Sequence, residues 1–210
     1  MKIPFTTEQF FSVFEEYNST VFPFQWILIL LGIFVLFLIP SKYSSKNRLI
    51  GSFLGLLWVW IGIMYHIIFF TAINKLAFVF GGFFILQGVL ILIHTFLKDT
   101  LIFSVSTSQT KNYFAYFFIL FGLIIYPIIS YFVQGSPNKT IALGLPCPST
   151  IFTFGFFMIA SNKFPKYLLI IPSLWAIVGL GAAIQFGVYQ DFMMPITAII
   201  AGAILFKTKK

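Results

Sequence analysis

Charge is scarce in this 210-residue sequence: 9% of the residues are charged, against 60% hydrophobic. A soluble domain carries roughly 25% charged residues, so polar groups are too few to clothe a water-facing surface. Acid is scarcer still, with five Asp and Glu against thirteen Lys and Arg. The single cysteine, Cys147, allows no intrachain disulfide, so cysteine spacing says nothing of the redox compartment. No P-loop, GxSxG, HExxH or GxGxxG motif occurs, which removes the nucleotide, hydrolase, zinc-protease and dinucleotide classes that carry them. No small-residue cleavage site follows the first apolar run, so no cleavable signal peptide is expected.

Long apolar runs are abundant instead. Stretches of 18 or more apolar residues recur along the chain and read as transmembrane helices. They lack the alternation of an outer-membrane barrel. The predicted fold is a single all-α membrane domain over 1–210. It is a bundle of about seven transmembrane helices preceded by an extracytoplasmic amphipathic interfacial helix. That first helix is expected over 6–21, with Thr6 as N-cap and Gln9 closing a capping box. At 100° per residue Phe10, Phe14 and Tyr17 share one face, and Glu8, Ser12 and Glu16 the other. Spans are expected at about 22–39, 49–70, 76–97, 113–133, 146–161, 167–187 and 190–206. The apolar run of the last, 192–206, reaches only ~22 Å at 1.5 Å per residue. A core of ~30 Å requires it to start earlier.

Basic residues orient the bundle. Alternate loops collect Lys42, Lys46, Arg48, Lys98, Lys111, Lys163, Lys166, Lys207, Lys209 and Lys210 on one side, and Lys2, Lys75 and Lys139 on the other. The positive-inside rule then places the N-terminus outside and the C-terminus in the cytoplasm. The net charge of +8 is spread over these loops and forms no basic face. The bilayer, and not nucleic acid, is therefore the expected partner. A short internal echo links Tyr65-His66-Ile67-Ile68 and Phe80-Gly81 with Tyr126-Pro127-Ile128-Ile129 and Phe154-Gly155.

With this topology the polar intramembrane residues gather in the outer half, where such residues are costly and point to function. His66, Asn74, Cys147, Thr150 and Asp191 form the expected substrate site. Pro146 and Pro148, flanking Cys147, hold it on a rigid, extended, partly unwound segment of the kind that lines transporter cavities, and Gly155 is a packing position. Cys147, His66 and Asp191 are also weak candidates for a metal, since they come from separate spans and form no CxxC or HxxxH pattern. Each residue has a structural alternative. His66 bonds a carbonyl or Tyr126, Cys147 fills a tight turn, Asp191 is a solvated loop charge, and Gln87 makes an interhelical hydrogen bond.

The residues Ile3-Pro4-Phe5-Thr6, Leu57-Trp58-Val59-Trp60, Tyr65-His66, Ile73-Asn74, Gln87-Gly88, Gly144 to Gly155 around Pro-Cys-Pro, Ile171-Pro172, Trp175 and Gly187 to Asp191 resemble a family of small bacterial multispan membrane proteins. The function of that family is unknown, and its members are sometimes automatically labelled permease. The resemblance implies the architecture and a bacterial inner-membrane location. It also implies an acidic residue before Asp191, where this chain has Gln190.

The function read from these features is a small-solute or ion permease with a polar site in the outer half of the bundle. One alternative is a structural or accessory subunit, in which Gly179, Gly181, Ala182 and Ala183 pack against a second copy or another membrane protein. The other is a membrane enzyme acting on lipid or quinone. No catalytic residue and no cofactor is assigned.

Overall fold

The computed structural model describes residues 4–161 and 163–207. The first helix, α1 (Thr7–Val21), begins with the expected capping box. The Thr6 hydroxyl accepts from the Gln9 amide at 3.2 Å, and the Gln9 side chain accepts from the Thr6 amide at 2.8 Å. Its apolar face is buried, but on protein. Asn18 donates to the carbonyls of Asn138 and Thr140, and Tyr17 donates to the carbonyl of Gly144 at 2.9 Å. These bonds staple α1 to the chain that leads into the helix beginning at Pro146. An 84° bend then separates α1 from α2 (Phe24–Leu38). Pro23 sits in the bend and has no N–H to continue a helix.

Helix α3 (Lys46–Trp60) runs without a break into a π-helical segment, π1 (Ile61–Phe69), and a closing 3₁₀ turn, giving 27 helical residues. After a tight turn α4 (Ala77–Phe96) returns. The next long helix is built the same way: α5 (Gln109–Leu120), π2 (Phe121–Ile125) and α6 (Tyr126–Gln134). Pro127 explains π2. A proline has no donor and its ring clashes with the carbonyl four residues back, so the preceding turn widens. No proline accounts for π1. Helices α7 (Pro146–Ile159), α8 (Ile170–Phe186) and α9 (Met193–Lys207) complete the described chain. The last is extended by a 3₁₀ turn over Tyr189–Phe192, so the final apolar helix spans 19 residues and begins at the earlier start that its length demanded.

Five helices are long and apolar enough to cross a membrane: Lys46–Ala72, Ala77–Phe96, Gln109–Gln134, Lys166–Phe186 and Tyr189–Lys207. The bent α1–α2 pair makes a sixth if counted as one span. The seven full spans expected from the sequence are thus not all full-length helices. Two fall short: α2, with 15 residues, reaches spanning length only together with α1, and α7 has only 14 residues, ~21 Å. Helix α7 is the more unusual of the two. It lies at the centre of the bundle, against α3, α5, π2, α8 and α9. Every one of its residues is buried except Cys147, which is half-buried. A helix sheathed in protein does not have to match the bilayer thickness, because protein groups satisfy its flanking backbone.

Packing against α7 is close. A Cβ placed on Gly155 would stand 2.8 Å from the Ala115 carbonyl, and one on Gly122 would stand 2.5 Å from the Pro148 carbonyl. Small residues at such contacts let helix backbones approach where lipid supplies no hydrophobic drive. The peripheral helices do the reverse. Trp26, Leu30, Phe34 and Phe37 on α2, and Ile177 and Ile184 on α8, are exposed.

At the end of the bundle with the basic loops, two lysines have structural partners. Lys46 donates to the carbonyls of Ile39 and Ser41 at the end of α2, both at 2.8 Å, and buried Lys111 donates to Ala160 at the end of α7 at 3.0 Å. Cations at helix C-termini satisfy orphan carbonyls and oppose the helix dipole.

Candidate functional site

The polar residues singled out in the sequence converge at the opposite end, around the first turn of α7. Pro146, Cys147 and Pro148 are helical, and only Leu145 before them is extended (φ −105°, ψ 154°). The expected unwound Pro-Cys-Pro segment is therefore a helix start. The physical reason is that the first-turn amides have no intrahelical acceptor, so prolines there lose nothing and arrive with a helical φ. This start is held firmly. The Ser149 hydroxyl accepts from the Gly144 amide at 3.0 Å, and Gly144 in turn binds Tyr17.

Cys147 thus projects from a rigid helix end toward Asp191. The Asp191 carboxylate accepts from the Tyr126 hydroxyl at 2.5 Å, and the Cys147 thiol reaches the same carboxylate. Asp191 is only 1% exposed, in the 3₁₀ turn that opens the last apolar helix. It is not the solvated loop charge of the alternative reading. Three elements meet in this cluster: the end of π2, the start of α7 and the head of α9. The indole N–H of Trp175, from α8, lies near the Cys147 sulfur but reaches no nitrogen or oxygen acceptor.

Beside this cluster is a cavity of about 450 Å³. Cys147 and Pro146 form part of its wall, with Tyr65, Trp175 and a group of phenylalanines that includes Phe10, Phe70 and Phe186. Asn74 and the exposed Gln185 also line it. The apolar face of α1 covers one side. Tyr65 is 3% exposed and its hydroxyl makes no hydrogen bond to a described residue. Two other hollows are of similar size, between α2 and the π2–α6 region and between α2 and α3. Their walls are almost wholly apolar, and in the first Asn18 is already committed to backbone carbonyls.

The five expected site residues therefore separate. Cys147 and Asn74 line the cavity, and Asp191 stands directly behind Cys147. Thr150 does not take part: its hydroxyl donates to the carbonyl of Pro146 within its own helix at 2.8 Å. His66 is fully buried but faces away from Asp191, among the rings of Phe80, Phe84 and Trp175. Neither of its ring nitrogens has a partner, so it bonds neither a carbonyl nor Tyr126. Among the described residues no three His, Cys, Asp or Glu side chains come together as a metal site, and Cys147, His66 and Asp191 do not form one. Gln87 does make the interhelical bond expected of it, donating to Leu168 at 3.0 Å.

Tyr65, Tyr126 and Trp175 were absent from the expected site. The one signal for the two tyrosines was the repeated Tyr-x-Ile-Ile, which places each of them beside a π-helical segment. Of the small residues of α8, Gly179 is packed against Met194 of α9, Ala183 is buried, and Gly181 and Ala182 are half-buried at the rim of the cavity.

Fold and site together define an all-α protein with five or six helices long and apolar enough to cross a membrane, and with an aromatic cavity at one end of the bundle. The chain belongs to DUF6064, a family of unknown function, whose family model matches residues 7–210. No curated protein and no solved structure matches it.

Proposed function

We propose that the protein is a permease that binds a small solute in the aromatic cavity beside Cys147. The observation that supports this most is the pairing of a half-open space of about 450 Å³ with a polar group on its wall, the Tyr65 hydroxyl, that no described residue binds. Cavities of ~300–1,000 Å³ with apolar walls and a few placed polar groups are the usual form of a small-molecule site. The Cys147 thiol stands on the same wall with Asp191 behind it. The α1 helix is the natural gate, because it covers the cavity and is held by a few hydrogen bonds at its far end.

In this reading the chain passes the membrane seven times, counting the bent α1–α2 pair and the short α7. The basic loops lie in the cytoplasm of a bacterial cell, and the cavity opens toward the outside. The accessory-subunit reading is weaker, because the small residues of α8 that suggested it are occupied by α9 and the cavity.

Reconstituted protein in liposomes, screened against a panel of labelled small solutes, tests the proposal. Gly181→Phe is the control. A Cβ at Gly181 meets nothing within 4 Å, so a side chain there enters open space at the cavity wall. Protein-dependent uptake that Gly181→Phe abolishes is the expected result. Uptake that this variant leaves unchanged, or no uptake of any solute, would remove the permease reading.

A further inference from the structure

We infer that the ligand of this cavity is a lipophilic organic monocation, such as a tertiary or quaternary ammonium bearing aromatic groups. The inference rests on the reading that the cavity holds a small molecule, and it names the chemical class.

The charge inventory carries it. Asp191 is 1% exposed and accepts from one neutral donor, the Tyr126 hydroxyl, with the Cys147 thiol beside it. It has no cationic partner: the ion pair found among the described residues joins Glu15 to Lys139 on the surface. Among the described residues no Lys, Arg or His lines the cavity either. A buried carboxylate is costly without a positive partner, and its neighbour Cys147 lines the cavity.

The walls agree with the charge. The cavity is bounded by the rings of Tyr65, Phe10, Phe70, Phe186 and Trp175. Aromatic faces carry negative electrostatic potential and attract organic cations, Trp most strongly. An anion would meet ring faces and a carboxylate together. The second, independent sign of a missing ligand is an unused buried donor on the wall. Trp175 is more than nine-tenths buried, yet its indole N–H is bonded to no nitrogen or oxygen of the described residues. The Tyr65 hydroxyl on the same wall makes no hydrogen bond to a described residue. Buried donors are normally paired, and a ligand with an ether, ester or hydroxyl oxygen would pair them.

The test uses two ions of the same shape and opposite sign. Tetraphenylphosphonium and tetraphenylborate are titrated by calorimetry into the full-length protein in an uncharged detergent, with protein-free micelles subtracted. Nile red, a neutral dye, reports occupancy of the cavity independent of charge. Saturable phosphonium binding at least tenfold tighter than borate binding is expected. Asp191→Asn should weaken the phosphonium by on the order of tenfold or more and leave Nile red unchanged. Gly181→Phe should block both. Borate binding as tight as phosphonium overturns the cation class, and this comparison on the unaltered protein decides the question even if Asp191→Asn does not fold. Phosphonium binding that is indifferent to Asp191→Asn also overturns it. Nile red binding that Gly181→Phe blocks, without selective phosphonium binding, leaves the cavity reading standing and removes the cation. If none of the three probes binds in a manner sensitive to Gly181→Phe, both fall.

Discussion

The hairpin of α3–π1 with α4 and the hairpin of α5–π2 with α7 are built alike and end differently. In each, the first helix widens into a π segment, and a glycine there meets the backbone of the second helix. A Cβ on Gly62 would lie 2.8 Å from the Gly81 carbonyl, and one on Gly122 would lie 2.5 Å from the Pro148 carbonyl. Each π segment delivers a tyrosine to the same end of the bundle, Tyr65 and Tyr126. Tyr126 is bonded to Asp191 at 2.5 Å, while the Tyr65 hydroxyl meets a cavity. The residue after Tyr65 is His66, sealed among rings with both nitrogens unpaired. The residue after Tyr126 is Pro127, which has nothing to pair. One backbone device thus yields a satisfied site in one hairpin and an unsatisfied one in the other. The difference comes from the third element: the head of α9 brings a carboxylate to the second hairpin, and the first faces α8 and open space.

The largest effect should come from the glycine contacts. Gly122→Ala forces a methyl onto two backbone atoms, the Pro148 carbonyl and the Phe152 amide. A loss of about 3 kcal/mol is expected, at the upper end of overpacking costs, read as a lower unfolding midpoint in detergent. Gly62→Ala should cost about as much, and a clearly smaller loss there would mean that the two hairpins are not packed alike.

Next is Tyr126→Phe, which strips a donor from a buried carboxylate. Hydrogen bonds to charged groups are worth about 1.5–3 kcal/mol, so the unfolding midpoint should fall accordingly. An unchanged midpoint would show that Asp191 gains little from this bond.

His66→Leu carries the opposite sign. It removes two unpaired buried nitrogens at similar volume, and leaving such groups unsatisfied costs about 1–3 kcal/mol. The variant should be more stable by about 1 kcal/mol. A loss instead would reveal a partner for His66 and erase the contrast between the hairpins.

Tyr65→Phe should change stability least, within about 0.5 kcal/mol, because its hydroxyl makes no hydrogen bond to a described residue. Comparison with Tyr126→Phe is the direct test of which tyrosine is structural and which is free for a ligand. Equal losses from the two would contradict the asymmetry.

Much of the fold is legible in local sequence, because the decision to form a helix in lipid depends on the apolar run itself. The capping box of Thr6 and Gln9, the early start of the last helix at Tyr189 and the aromatic face of α1 all follow from neighbouring residues. Pro-Cys-Pro illustrates where such reading turns wrong. Two prolines look like a break when read alone, but at a helix N-terminus they cost nothing, and only the position of Leu145 shows that a helix begins there. The site was half legible. Cys147, Asn74 and Asp191 carry chemistry that is conspicuous in an apolar chain, whereas Thr150 turned to its own backbone, as threonine in a helix readily does.

What the sequence determined by itself was the all-α class of the protein and the order of its apolar segments. Hydrophobicity acts over a single span and needs no partner to be read. The tertiary structure alone decided that α7 is a short helix sheathed by others, that Tyr126 rather than His66 serves the polar cluster, and that Tyr65 and Trp175 face a cavity. Those outcomes depend on how helices rotate against one another. The partners Tyr126 and Asp191 lie 65 residues apart, and a turn of one helix by a single residue would have paired different side chains.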